Sequence, residues 1–297
     1  MATVLNAMTV DVEDYFHVST FERSVPRARW DSLESRVRAN TERLLAIFDA
    51  ADIRATFFVL GWVGEKFPDL VRRIAERHEV SSHGYAHRLV YMQTRKEFRE
   101  DVRRSKDVLE SITGAPVLGY RAASFSITQE SLWALDVLID EGFRYDASIF
   151  PIHHDRYGIP DAPRRPFMIQ RPSGALVEIP ASTVRFGPLN LPVAGGGYFR
   201  ILPYAWTQWG IARLNDREAQ PAIFYLHPWE IDPGQPKLPT GWLGKVRHYT
   251  NLHKTEASLV RLLKAFRFGP VRALLGDIPS LPTPPRFAGT FSQPRLS

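Results

Sequence analysis

Patterns typical of strands and of helices alternate along most of this chain, and this alternation restricts the folds that it can adopt. Residues 55–60 are a continuous apolar run that stops at Gly61, which predicts a strand buried on both faces. Residues 94–114 begin with the Thr-x-x-Glu pattern of a capping box and end in a glycine, as a long helix should. The sequence therefore predicts an α/β fold with a parallel sheet, either an irregular (β/α)7 barrel or an open sheet. The predicted strands cover residues 4–12, 55–60, 79–81, 117–120, 143–146, 176–179 and 222–226.

The length and hydropathy of the chain suit one domain. Residues 1–278 are predicted to form that domain, and the proline-rich residues 279–297 are predicted to be a loosely ordered tail. No charge-free apolar run reaches the ~18 residues that a membrane-spanning helix needs, so we expect no transmembrane segment. The first residues lack the basic start and the apolar stretch of a signal peptide, which favours a cytoplasmic location and leaves membrane association open.

Cysteine content and charge narrow the chemistry further. The chain has no cysteine, so any metal site must be built from His, Asp and Glu. The formal net charge of +6 could indicate an anionic partner. However, the basic residues are interspersed with acidic ones, as in residues 99–104, which is typical of a solvated helix face with ion pairs. We therefore do not expect a nucleic-acid partner.

Polar residues stand at the ends of the predicted strands, where parallel α/β folds place their functional sites. Asp11, Glu13 and Asp14 lie at the end of the first strand, and carboxylates this close repel each other unless a cation or a proton intervenes. His83 and His87 follow the third strand, and on a helical turn this spacing would put both rings on one face, where they could share a metal ion. A third ligand would then come from the strand-end carboxylates.

Two further strands end in residues that can take part in catalysis. Arg121 follows the fourth strand, where it could pair with a carboxylate. His227 follows the last predicted strand and precedes a proline, so its ring should face the mouth of the fold.

In their order along the chain, these motifs resemble those of the polysaccharide deacetylases, carbohydrate esterase family four. The resemblance covers roughly residues 9–228. The chain is most similar to the subgroup associated with exopolysaccharide and exosortase (PEP-CTERM) loci, because it combines an Asp-Val-Glu-Asp segment with a Gly-Gly-Gly-Tyr-Phe-Arg stretch at residues 195–200. This resemblance implies a (β/α)7 barrel of the deacetylase type, with a family-specific elaboration from about residue 230.

The resemblance also implies a reaction, which is the hydrolysis of N-acetyl groups by a carbohydrate N-deacetylase. It implies one divalent metal ion, zinc or alternatively nickel or cobalt, and a partner that is an N-acetylated glycan or a lipid-linked glycan precursor. Since side chains alternate along a strand, Glu13 shares a face with Asp11 and is preferred to Asp14 as the carboxylate ligand. The implied catalytic roles are Asp11 as the base, Arg121 as the residue that holds the base in position, and His227 as the general acid. The implied metal ligands are His83, His87 and either Glu13 or Asp14.

The sequence departs from the family pattern at two motifs. Ala123 stands where a proline is common, and of the fourth motif only Asp146 remains, which leaves open what orients His227. Asp146 and the aromatic residues Phe150, Tyr198 and Trp229 are candidate substrate contacts. Two alternative functions stay open: an amidohydrolase acting on a small nitrogenous metabolite, and a glycan-binding protein that has lost the reaction.

Overall fold

The computed structural model describes residues 4–276 and 281–287. Its main feature is a mostly parallel sheet in the order β10-β1-β2-β3-β4-β5-β7-β6, with β11 also paired to β1. Among the described strands of this sheet, only β6 and β7 pair antiparallel, and β8 and β9 form a separate hairpin. The strands are β1 (Leu5–Val12), β2 (Thr56–Val59), β3 (Glu79–Ser82), β4 (Gly119–Tyr120), β5 (Tyr145–Asp146), β6 (Phe167–Arg171), β7 (Gly174–Glu178), β8 (Thr183–Phe186), β9 (Leu189–Pro192), β10 (Ile223–Leu226) and β11 (Arg267–Gly269).

Helices connect the parallel strands, so the predicted α/β barrel-type fold is confirmed. The long helix after β3 begins with the expected capping box, in which Thr94 and Glu97 bond each other's backbone N–H, and it ends at Gly114 with φ +66°. The helices are α1 (Val37–Ala50), α2 (Gly61–Lys66), α3 (Pro68–Ala75), α4 (Arg95–Thr113), α5 (Trp133–Asp140), α6 (Gly196–Ile201), α7 (Tyr204–Glu218), α8 (Trp242–Tyr249) and α9 (Leu252–Ala265).

The seven predicted strands correspond to β1–β5, β7 and β10, and four short strands were not predicted. β6 pairs with β7 as a hairpin, and the turn that joins them lies at residues 172–173. β11 has three residues, which is too short for a periodic pattern. No helix in the described part of the chain is long and apolar enough to cross a membrane.

Part of the predicted loose tail is packed. Met168 of β6 donates a backbone hydrogen bond to Pro282, and the buried ring of Phe287 lies 4.6 Å from that of Phe167. Residues 281–287 therefore do not fit the prediction of loose order, because an apolar side chain and a backbone hydrogen bond attach them to the sheet. The other residues of that tail lie outside the described residues.

The carboxyl ends of the parallel strands meet at one edge of the sheet. β1 lies between β10 and β2, in register from Ala7 opposite Ile223 to Val12 opposite Val59. This register brings residues from both ends of the chain to the same edge, and the candidate site lies there.

Candidate active site

A pocket of about 300 Å³ opens at the carboxyl edge of the sheet. Most of the predicted site residues line it or lie directly beneath it. Those in its lining are Asp11, Glu13, His87, Tyr198, His227 and Trp229.

Glu13, His83 and His87 form the candidate metal centre. One potential ligand atom from each lies within 4.8 Å of the others, and all three side chains are buried. Oε2 of Glu13 lies 2.8 Å from Nε2 of His87, yet it has no hydrogen-bond partner with suitable geometry among the described residues. A buried carboxylate oxygen without a donor, facing imidazole nitrogens, is a set of atoms that suits a divalent cation. Two imidazoles and one carboxylate also leave a coordination position open, as catalytic zinc sites require.

The two histidines do not lie on a helical turn, so that prediction is wrong. They belong to the loop after β3, in which Gly84 and His87 both have left-handed backbones, with φ +74° and +48°. The carboxylate of Asp101 on α4 holds this loop by accepting hydrogen bonds from the backbone N–H groups of Tyr85 and Ala86. The loop still brings the two rings within 5.3 Å of each other.

The protonation of His83 suits a metal ligand. Its Nδ1 lies 2.8 Å from the carbonyl oxygen of Arg121, to which it donates, so Nε2 keeps a free lone pair. Burial lowers the pKa of His83 to about 4, so the ring is neutral at physiological pH.

Of the two candidate carboxylate ligands, the structure places Glu13 at the histidines and Asp14 elsewhere. Oδ2 of Asp14 accepts hydrogen bonds from Ser35 Oγ and from the backbone N–H groups of Arg36 and Val37, at 2.7, 2.8 and 3.1 Å. Oδ1 accepts from the N–H of Tyr15. Asp14 thus binds the amino terminus of α1, where unpaired backbone donors favour a negative charge, and it is not available to the cation.

Asp11 and Arg121 form a buried ion pair beside this centre. Nη1 of Arg121 lies 2.7 Å from Oδ1 of Asp11 and 2.8 Å from Oγ1 of Thr9, and Nε donates to the carbonyl of Ala147. The guanidinium also lies over the ring of Phe58, 4.2 Å from its centroid. These contacts fix the orientation of the Asp11 carboxylate and leave its Oδ2 facing the pocket.

His227 completes the site from the other side. Its Nε2 lies 3.9 Å from Oδ2 of Asp11 and 3.6 Å from Oε1 of Glu13, and its Nδ1 lies 2.7 Å from Oε1 of Glu230. Burial alone would lower the pKa of His227, but the hydrogen bond to Glu230 and the negative charges of Glu13, Glu230 and Asp11 raise it to about 9. The ring is therefore protonated at neutral pH and can donate a proton.

Glu230 and Arg200 belong to the candidate site through their contacts with His227 and with each other, and the sequence analysis did not predict them. Arg200, at the end of the Gly-Gly-Gly-Tyr-Phe-Arg stretch, donates from Nε to Oε2 of Glu230 at 2.6 Å. Its other nitrogens donate to the carbonyls of Arg247, His248 and Thr250. Burial opposes the charge of Glu230, but Arg200 and the hydrogen bond to His227 lower its pKa to about 2. One sequence pattern could have identified Glu230. It lies three residues after His227, in a helical turn that begins with a proline, and this spacing lets its side chain bond back to the histidine.

The predicted aromatic contacts divide into two groups. Trp229 stacks between the rings of His227 and His248, at 4.9 and 4.2 Å, and its Nε1 donates to Glu13. Tyr198 lines the pocket. Phe150 does not, because it is fully buried behind the ring of Tyr157, so the prediction that it contacts substrate is wrong.

The prediction that Asp146 contacts the substrate is also wrong. It is fully buried, and its carboxyl group is hydrogen-bonded to that of Glu178, with Ser148 donating to Oδ1 of Asp146 and the N–H of Ile149 donating to Glu178. Burial raises the pKa of Asp146 to about 6 and that of Glu178 well above its usual range, so the pair retains a proton. The pair holds the loop whose Ala147 carbonyl accepts from Arg121.

We expect Glu178→Gln to remove a pH dependence of stability. The folded pKa of Glu178 is raised, so the folded state keeps a proton that the unfolded state releases above about pH 4.5. Stability should fall as pH rises from there to the folded pKa, by up to about 1.4 kcal/mol per pH unit for one proton. Glutamine mimics the protonated carboxyl group at every pH. Urea unfolding at pH 5, 6.5 and 8 should therefore show a flatter pH dependence for the variant than for the wild type. The exposed Glu42→Gln serves as the control, and parallel curves for Glu178→Gln and wild type would contradict the shared proton.

Two known protein families match successive parts of the chain. Residues 18–138 match a family described as Polysaccharide deacetylase, and residues 147–276 match one described as Domain of unknown function (DUF3473). His83, His87 and Arg121 fall in the first match, and Arg200, His227 and Glu230 in the second.

Individual relatives cover only part of the chain. A "Peptidoglycan deacetylase" of Helicobacter pylori is 33% identical over 117 residues, 38% of this chain and 37% of that protein. A "Peptidoglycan-N-acetylglucosamine deacetylase" of Bacillus cereus is 33% identical over 75 residues, 25% of this chain and 27% of that protein. The chain thus spans about a third of the length of these relatives. A crystal structure described as "putative polysaccharide deacetylase" from Mycobacterium smegmatis has the same fold, with a TM-score of 0.61 at 19% identity, and covers 100% of this chain and 99% of that one.

Proposed function

We propose, from the premise that this chain contains a polysaccharide deacetylase domain, that it is a metal-dependent carbohydrate N-deacetylase. It would remove N-acetyl groups from amino sugars of a polysaccharide or of its precursor. The observation that carries this proposal is the convergence of Glu13, His83 and His87 within 4.8 Å, with Asp11 and His227 beside them. A polysaccharide exported by the cell, as in the exopolysaccharide subgroup, is the substrate that the segment 195–200 favours.

Glu13, His83 and His87 would hold the ion, and the nitrogen and carboxylate donors suit zinc, with nickel or cobalt as alternatives. When bound, such an ion supplies Lewis-acid activation of water and of the acyl carbonyl. Oδ2 of Asp11 would accept the proton of the attacking water, since its other oxygen is occupied by Arg121. Arg121 keeps the Asp11 carboxylate oriented through the contact of Nη1 with Oδ1.

His227 would supply the proton that the leaving group needs. As the C–N bond breaks, its Nε2–H donates to the sugar nitrogen, so that an amine and acetate are released. Glu230 accepts from Nδ1 and fixes the ring, and Trp229 packs against the face of the imidazole. The non-catalytic alternative was based on the lack of a group to orient His227, and Glu230 supplies one. Among the described residues that line the pocket, none specifically favours the amidohydrolase alternative.

Metal analysis combined with an acetate-release assay tests the proposal. The purified chain should contain one divalent ion per molecule and release acetate from acetylated glucosamine oligomers. A chelator should stop the release, and added zinc, cobalt or nickel should restore it. His83→Ala should lose the ion, whereas the matched control His253→Ala, an exposed histidine on α9, should keep it. Acetate release that persists in the metal-free protein, or no release from the metal-loaded protein, would refute the proposal.

A further inference from the structure

A second cavity, of about 430 Å³, lies beside the active-site pocket. It is formed by α6, the start of α7 and one face of α9, and we call it the α9 cleft. Arg200 and Ile201 line both cavities, and Ile201 is 41% exposed between them. The residues of the α9 cleft that matter below are Ile201, Tyr204, Asn251, Lys254, Ser258 and Arg261.

Three polar side chains of the α9 cleft come from one side of one helix. Lys254, Ser258 and Arg261 have the spacing i, i+4, i+7 on α9, which aligns their side chains along a single face. The guanidinium of Arg261 lies over the ring of Tyr204, 4.2 Å from its centroid, and this contact holds it at the cleft. The cleft therefore presents an ammonium, a hydroxyl and a guanidinium side by side.

In the described part of the chain, the two cations that α9 contributes have no acidic partner. Within residues 4–276 and 281–287, neither Lys254 nor Arg261 forms an ion pair, and no carboxylate lines the α9 cleft. By contrast, Glu256 on the same helix pairs with Arg43 on a different face. The sequence between Asp232 and Glu256 contains no acidic residue at all, although it contains four lysines and arginines. An acid-free concave surface with two cations attracts an anion.

We propose that the α9 cleft binds an oxyanion, a phosphate or a carboxylate, that the glycan substrate carries at some distance from the acetyl group to be removed. This inference rests on the proposed function, because it assigns the substrate class of the same enzyme. Lysine, arginine and serine donors are suited to both oxyanions. The substrate would then be an anionic glycan, either a phosphate-bearing precursor or a polymer that contains a uronic acid, and its chain would cross Ile201 between the two cavities.

The kinetic test compares three substrates: a neutral acetylated glucosamine oligomer, the same oligomer with a terminal phosphate, and the same oligomer with a terminal glucuronate. For the double variant K254Q/R261Q we expect kcat/KM on the preferred anionic substrate to fall by roughly tenfold or more, mainly through KM, because charge-assisted hydrogen bonds are lost. Its kcat/KM on the neutral oligomer should not change. The matched control K264Q/R217Q removes the same charges from exposed positions outside the cleft and should behave like the wild type. If kcat/KM falls on the phosphate-bearing oligomer, the oxyanion is a phosphate; if it falls on the glucuronate-bearing oligomer, the oxyanion is a carboxylate.

A binding measurement separates this inference from the proposed function. Titration calorimetry of the full chain with glucose 1-phosphate and with glucuronate should show binding of one of them that K254Q/R261Q weakens and K264Q/R217Q does not. If the wild type released no acetate but showed this binding pattern, the oxyanion site in the α9 cleft would be supported and the proposed deacetylation would be refuted. Equal kinetics and equal binding in the two double variants, or no preference of the wild type for an anionic oligomer, would overturn the inference.

Discussion

Asp11→Asn is expected to lower kcat/KM on acetylated glucosamine oligomers by ~10²–10⁴-fold, the range typical of a lost general base. Asparagine has nearly the same shape as aspartate, but it cannot take a proton from water. The metal content should stay at the wild-type level, because Asp11 is not among the three residues that converge as ligands. A loss of turnover with full metal occupancy would distinguish the base from a ligand.

The same substitution leaves Arg121 as a buried charge without its carboxylate partner, which typically costs about 3–5 kcal/mol of stability. Activity should therefore be assayed at a temperature where circular dichroism shows the variant to be folded. Asp107→Asn, an exposed aspartate on α4, is the control and should keep both activity and stability. If folded Asp11→Asn retained near-normal turnover, Asp11 would not be the base.

His227→Ala is expected to have an effect of similar size, ~10²–10⁴-fold, because the sugar amine leaves poorly without a proton donor. His253→Ala, the exposed histidine on α9, is the matched control and should change little. A folded His227→Ala variant with near-normal acetate release would exclude this histidine as the acid.

The pH profile gives the acid assignment a second readout. A general acid must be protonated, so wild-type activity should fall as pH rises through about 9, the pKa to which Glu230 and the neighbouring carboxylates raise His227 against the effect of burial. Glu230→Gln removes the negative charge that accepts from Nδ1. Its alkaline limb should move to lower pH, while activity well below that limb is partly retained. An unchanged limb in Glu230→Gln would show that a different group controls it.

The sequence predicted the parallel strands and the residues at their ends, because buried strands are continuous apolar runs and helix caps are local patterns. It did not predict the shape of the histidine loop. The loop in which Gly84 and His87 have left-handed backbones is hydrogen-bonded to the carboxylate of Asp101, which lies 14 residues beyond the second histidine in the sequence. Residues four apart can therefore meet without a helix, and spacing alone does not separate the two cases.

Other errors have a common physical origin. Asp146 was expected in the pocket, but its hydrogen-bonded partner is Glu178, on a strand that pairs with its own. Asp14 was a possible metal ligand, but its Oδ2 accepts hydrogen bonds at the amino terminus of α1 and its Oδ1 accepts one from the N–H of Tyr15. In each case the partner of a buried carboxyl group is fixed by tertiary structure, which local sequence does not report. Glu230, in contrast, was close enough to His227 to be recognised.

The pairing of β1 with β10 has a consequence for how the molecule reaches its functional state. Ala7 and Ile223 are neighbours in the sheet although more than 200 residues separate them, so β1 can pair with β10 only after the ribosome has added those residues. Until then the strand that carries Asp11 has an unpaired edge, which is a template for association with other chains. Bringing such distant segments together is a slow step in folding. His227 and Asp11, the proposed acid and base, therefore come into proximity only after residues 223–227 have been synthesised, and a chain that lacks these residues has no assembled site.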